Sequence, residues 1–119
     1  MNVAVLGASD KAGRYSHKAV RMLREKGHTP FPVHPALRMV DGMPVSASLR
    51  AIPTPIHTIT VYLSVRNQQP IADEILNSGA RRIIFNPGAE NPELEEKLRQ
   101  KGVEVFQACT LVLLATGQF

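Results

Sequence analysis

Tryptophan is missing from this 119-residue chain, cysteine occurs once, and no long apolar run is present. The lone Cys109 excludes an internal disulfide and a cysteine-rich zinc site, and it fits a reducing compartment. A membrane-spanning helix needs about 20 predominantly apolar residues. The longest late run, residues 111–115, falls far short of that. The chain runs from Met1 directly into an apolar strand pattern, so no signal peptide is expected and the reading is of a cytoplasmic protein. Aromatics number six, four Phe and two Tyr, and they do not interleave with basic residues. With no recognition helix or zinc finger either, nucleic acid is not an expected partner.

The composition is that of one ordinary globular domain covering residues 1–119, large enough to bury its own core. Its net charge of +4 and pI near 9.6 favour a small anionic partner without naming it. Lys11, Arg14, Lys18, Arg21, Arg24 and Lys26 crowd the first loop and helix. Arg21, Arg24 and Lys26 read as a solvated helix face. Lys11 and Arg14 stand beside a loop suited to phosphate.

That loop is the most informative stretch. Val3, Ala4, Val5 and Leu6 form an uncharged run, the pattern of a strand buried on both faces of a parallel sheet. Gly7, Ala8, Ser9, Asp10, Lys11, Ala12 and Gly13 follow as a small-residue turn, and a helix is expected to about residue 26. Unpaired N–H groups of the first helical turn, approached past small side chains, make an anion cradle.

Further along, strands and helices alternate. Residues 29–35 read as a second strand, held near a sheet edge by its prolines. Residues 36–56 read as an irregular crossover with one helical turn near residues 48–51. A β-branched third strand covers residues 57–63, and Asn67 opens a helix reaching residue 77. The fourth strand is residues 82–85, and Asn91 and Pro92 start a helix that Gly102 ends. A fifth strand at residues 103–106 precedes a short apolar helix. The expectation is an α/β, Rossmann-like open parallel sheet of about five strands, order 2-1-3-4-5, with helices on both faces. Its ligand site falls at the switch point beyond the carboxyl ends of the first and third strands.

Neither common nucleotide motif fits that site. The Gly7-x5-Gly13 spacing is not G-x-G-x-x-G, and the second strand ends in Val33-His34-Pro35, with no carboxylate for a ribose. Arg38 keeps a phosphorylated adenosine such as NADP open. A P-loop would need Lys-Ser/Thr where Arg14-Tyr15 stand.

The chain resembles the small stand-alone CoA-binding proteins, relatives of the CoA-binding domain of the succinyl-CoA synthetase alpha subunit. The residues that carry this are Val5-Leu6-Gly7-Ala8-Ser9, Gly27-His28, Pro32-Val33-His34-Pro35, Gly42, Ser48-Leu49 and Ile52-Pro53. Val65-Arg66, Gly79-Ala80, Asn86-Pro87-Gly88-Ala89-Glu90 and Cys109 complete it. The resemblance implies CoA or an acyl-CoA as ligand. Its phosphates would lie on the turn from Gly7 to Gly13 and on Arg14, Tyr15 and Ser16. His34, Pro35 and Arg38 would border the adenosine, Ser64, Val65 and Arg66 would flank it, and Asn86 and Gly88 would complete the site. Lys11, Arg14, Arg38 and Arg66 would meet the CoA phosphates, where arginine grips through two parallel hydrogen bonds. The chain departs from the family at His34, where Asn is usual, at Asn86, where Gln is usual, and at His57-Thr58, where Asp is frequent.

Signs of chemistry are weak. Cys109 reads as a small residue at a strand end rather than an activated thiol. His17, His28, His34 and His57 show no metal-ligand spacing. His34 stands at the ligand end, as a base or ribose contact or as loop packing. Glu90 reads as a helix-capping carboxylate. A binding module is therefore expected, acting as sensor, carrier or partner-regulated subunit. An NADP-dependent small oxidoreductase and an interaction protein with a vestigial cleft are the other readings. The apolar tail, residues 111–119, offers a surface for a second copy or a partner subunit.

Overall fold

The uncharged run at the start of the chain becomes the middle of a sheet. The computed structural model describes residues 1–119. β1 (Asn2–Leu6) is followed by α1 (Tyr15–Glu25), β2 (Thr29–Val33) and a hairpin of β3 (Met39–Val40) and β4 (Met43–Pro44). A 3-10 turn at Leu49–Ala51 leads to β5 (Thr58–Val61), α2 (Val65–Gln68), a second 3-10 turn at Gln69–Ile71 and α3 (Ala72–Leu76). β6 (Arg82–Phe85), α4 (Pro92–Gln100), β7 (Glu104–Gln107) and α5 (Thr110–Ala115) complete the chain. The main sheet has the order β2-β1-β5-β6-β7, all parallel, which is the expected 2-1-3-4-5 once the hairpin strands are left out of the count.

β1 carries no charge because neither of its faces meets water. Val3 and Val5 pack with Val20 and Leu23 of α1 and Leu114 of α5. Ala4 and Leu6, pointing the other way, join Ile59, Val61, Ile83 and Phe85 under Ile75 of α3 and Leu98 of α4. Leu6 pairs with Val33 on one side and Val61 on the other, so three strands end at one level. The ladder runs one step past them: Tyr62 N donates to Leu6 O at 2.9 Å and Asn86 N to Val61 O at 3.2 Å.

β2 is an edge strand, where Pro30 and Pro32 cost the fewest ladder bonds. Its outer side is covered by Ser46, whose N donates to Pro32 O at 3.0 Å and whose O accepts from His34 N at 3.1 Å. The strand ends at Val33, two residues before the expected stop.

Two expectations are corrected here. The crossover is not irregular throughout: Asp41 and Gly42, at φ 48° and 77°, form the two-residue loop of the β3–β4 hairpin, an Asp-Gly turn whose twist matches its strands. The helix expected from Asn67 starts at Val65 instead, and it loosens into the 3-10 turn where Pro70 has no N–H to give.

Arg21 and Arg24 lie on an exposed helix face, as expected, and the hairpin gives them an acidic partner there. The Asp41 carboxylate accepts from Arg21 Nη2 at 3.1 Å and Arg24 Nη2 at 2.6 Å, and its carbonyl accepts from Arg24 Nη1 at 2.6 Å. The Arg21 hydrogen bond, helped by the nearby positive charges, holds the Asp41 carboxyl below its ordinary range. A depressed carboxylate contributes stability that is present above its unfolded value near ~4 and lost as pH falls through the folded value. Asp41→Asn is therefore expected to unfold at lower urea than wild type at pH 7, with a narrower gap at pH 3. An equal gap at both pH values would show that the Asp41 charge does not hold the hairpin.

Candidate functional site

Gly7 opens the site because no other residue fits. Its φ is +86°, and a Cβ there would stand 3.0 Å from Leu63 Cδ2 and 3.2 Å from the Tyr62 carbonyl carbon. Gly13, at the far end of the loop, has open space around its Cα and no positive φ. The two glycines look alike in the sequence, but only the first is demanded by geometry.

The loop between them is tied at both ends. Ala8 N donates to Val33 O at 3.2 Å, and Lys11 N donates to Ser9 Oγ at 3.1 Å. His17, buried in the first turn of α1, places Nδ1 3.0 Å from Ser9 O and Nε2 3.7 Å from the Asp41 carboxylate. Arg14 occupies the N-cap position of α1 in extended geometry and provides no side-chain cap, and the first turn has no acidic residue. The N–H groups of that turn and the positive end of the helix dipole are thus left to the cleft.

Two adjoining cavities open at this end of the sheet. The larger, 710 Å³, is walled by the loop, by His34 and Leu37 after β2, by Tyr62 and Leu63 after β5, and by Pro87 after β6. The smaller, 330 Å³, shares Gly7, His34 and Leu63 with it. Its other walls are mainly apolar, with Leu6, Val33, Pro35, Leu49 and Ile71, and Ser48, Asn67 and Glu74 add polar groups. A polar, basic chamber thus adjoins an apolar one.

Of the residues expected at the site, Gly7, Ala8, Ser9, Asp10, Lys11, Gly13, Arg14, Tyr15, Ser16 and His34 line the larger cavity, and Pro35 lines the smaller. Arg38, Ser64, Val65, Arg66 and Gly88 are exposed and lie outside both walls. Asn86 is buried beneath the cleft. Its Nδ2 donates to Thr60 Oγ1 at 2.8 Å and Val61 O at 2.9 Å, and its Oδ1 accepts from Thr110 N at 2.9 Å. That side chain locks β5, β6 and the start of α5 together, with both of its N–H donors used there, and it lines neither cavity.

Gln68 braces the loops on either side. Its Nε2 donates to Leu63 O at 2.8 Å and Ala89 O at 2.7 Å, and its Oε1 accepts from Asn91 Nδ2 at 2.8 Å. Asn91 caps α4 by accepting from Leu94 N. Glu90 accepts from Gly88 N at 2.8 Å, holding the turn before the helix rather than the helix itself. Tyr62 was not expected at the site. Its phenol oxygen is buried without a hydrogen-bond partner beside the Thr60–Thr110 hydroxyl pair, and burial pushes it up to about 12. Tyr62 and Leu63 could have been found from their place at the end of the third strand. Ser48 and Leu49 carried a signal only in the family resemblance, and Glu74 carried none, since only the crossover and α3 folding over the sheet bring them there.

An open parallel sheet with a forced glycine turn and an uncapped helix at its switch point defines a Rossmann-like α/β domain. The chain belongs to the CoA-binding domain family, which it matches over residues 1–115. It is 29% identical over 104 residues to the uncharacterized protein YneT of Bacillus subtilis (strain 168), spanning 87% of this chain and 77% of that one. A solved structure of an uncharacterized protein is similar at a TM-score of 0.92 and 36% identity, over 99% of this chain and 97% of the other. The fold also resembles part of the dinucleotide-forming acetyl-coenzyme A synthetase 1 of Ca. Korarchaeum cryptofilum, solved with phosphate and ADP. That likeness has a TM-score of 0.73 and 20% identity, over 90% of this chain and 25% of the synthetase, and concerns the fold alone. No helix of the chain is long and apolar enough to cross a membrane.

Gly7→Ala is expected to cost about 1–3 kcal/mol, from positive φ and the contact with Leu63. Gly13→Ala is expected to be neutral or stabilising by up to about 1 kcal/mol. Urea unfolding of the two variants checks this, and equal losses would contradict it.

Proposed function

We propose that the protein binds CoA or an acyl-CoA and has no catalytic centre of its own. The observation that carries this is the pair of adjoining cavities, one polar and basic at the α1 N-terminus, the other mainly apolar. A pyrophosphate suits the first, where open N–H groups, Lys11 and Arg14 meet negative charge. A flat base suits the second, bounded by Pro35, Leu49 and Ile71. The ligand's pyrophosphate would sit against backbone at Ala8 and Ser9, where the absence of a Cβ at Gly7 lets the loop lie close to β5. Family membership supports the same ligand.

The residues around the cleft favour binding over chemistry. His34 is the one histidine in its walls, and no carboxylate orients it. Cys109 sits half-buried before a helix of six residues, outside both cavities. The NADP reading relied on Arg38, which is exposed and belongs to neither wall. It has no independent support from the site.

Thermal unfolding with CoA, acetyl-CoA, NAD and NADP tests the proposal. CoA at 100 times its Kd is expected to stabilise by about 2.7 kcal/mol. Arg14→Ala is expected to weaken CoA about 10-fold, the loss of one charge-assisted contact. No stabilisation by millimolar CoA, or equal stabilisation by NADP, would overturn it.

A further inference from the structure

We infer that His34 is a specificity-determining residue of this site: its imidazole is held as the Nε2–H tautomer and presents one directed donor where the two cavities meet. The inference rests on the CoA reading for the nature of the ligand, but not for the state of the ring. His34 Nδ1 lies 3.0 Å from Ala36 N and 3.1 Å from Leu37 N, and both of these are backbone donors. A ring nitrogen that accepts two N–H groups cannot carry a proton, so in the neutral ring the proton sits on Nε2. The backbone of the same residue is pinned as well, His34 N donating to Ser46 O at 3.1 Å. Two hydrogen bonds therefore hold the ring, and a third its backbone, before any ligand arrives.

Nε2 makes no hydrogen bond within the protein and is not among the buried atoms left without one. The ring is half-exposed and contributes to the walls of both cavities, a property shared only with Gly7 and Leu63. Neither of those has a polar side chain. The junction between the chambers thus has one side-chain polar group, and its free atom is a donor. Lys11 and Arg14 supply charge to the larger cavity through flexible side chains. His34 supplies direction.

A ligand with its base in the smaller cavity and its pyrophosphate in the larger has its ribose at the junction. The chemistry recognised by Nε2–H is an oxygen acceptor on that ribose side, either a hydroxyl or a 3′-phosphate oxygen. Because the ring is already oriented, little side-chain freedom is lost when the bond forms. A ligand presenting a donor or an apolar group at this point leaves Nε2–H unpaired and is disfavoured.

His34→Asn separates the two roles of the ring. An Asn oxygen can accept from the amides two and three residues on, as in an Asx turn, but the shorter side chain does not reach the position of Nε2. His34→Ala removes both roles. His34→Asn is expected to keep the wild-type melting temperature while CoA binding, measured by calorimetry, weakens at least about 3- to 10-fold, the loss of one hydrogen bond. His34→Ala is expected to lose affinity to the same degree and to melt earlier. If dephospho-CoA weakens equally in His34→Asn, the acceptor is a hydroxyl; if only CoA weakens, it is the 3′-phosphate. Unchanged affinity for both ligands in His34→Asn overturns the inference while leaving the CoA reading intact.

Long-range proton–nitrogen correlation of the unliganded wild-type imidazole supplies the readout that needs no ligand. It is expected to show a protonated Nε2 and a bare Nδ1 at neutral pH. A protonated Nδ1 overturns the inference whatever the ligand. Wild type that binds no CoA overturns the CoA reading and the ribose assignment with it, and the ring's state is then judged by the correlation alone.

Discussion

The contact between Gly7 and the end of β5 is the constraint on which the site depends. β1 is buried on both faces and hydrogen-bonded on both edges, so it cannot shift to relieve a clash at its carboxyl end. With Leu63 and the Tyr62 backbone standing where a Cβ would be, the chain must turn on glycine and in a left-handed conformation. That turn directs the loop across the top of the sheet and aims α1 back over one face. An uncapped helix start at the switch point follows from that geometry.

Around this point the protein uses buried polar side chains as braces rather than as ligand contacts. Asn86 joins β5 and β6 to α5, and Gln68 joins the loop after β5 to the loop after β6. His17 ties the anion loop to α1 and faces Asp41, whose other partners are Arg21 and Arg24. Each of these groups would cost free energy if buried unpaired, and each is paired with a segment remote in sequence. The loops that wall the two cavities are held in part by these bonds.

The fold was largely legible from local pattern. The uncharged run of residues 3–6, the β-branched run before residue 63 and the prolines of β2 each reflect burial or edge position directly. The Asp41-Gly42 hairpin carried a recognisable turn signal that the surrounding prolines obscured. The site was legible where it is continuous in sequence, from Gly7 to Ser16. It was not where a residue type admits two uses. Asn86 has the polarity of a ligand contact and serves as a brace, while Arg38 and Arg66 have the charge for phosphate and stand clear of both cavities.

What the sequence by itself determined is the order of strands and helices, the parallel sheet and the glycine turn. These follow from periodicity, from backbone conformation and from the handedness of crossovers, all of which act over short stretches of chain. Only the tertiary structure decided which polar groups face the cleft, which are consumed beneath it, and that an apolar chamber adjoins the polar one. A hydrogen-bonding side chain is free or engaged according to what lies within 3 Å of it. Apart from Leu63, which is local to Gln68, the neighbours of Asn86, Gln68 and Asp41 come from segments 17 to 26 residues away, brought together only by the closed fold.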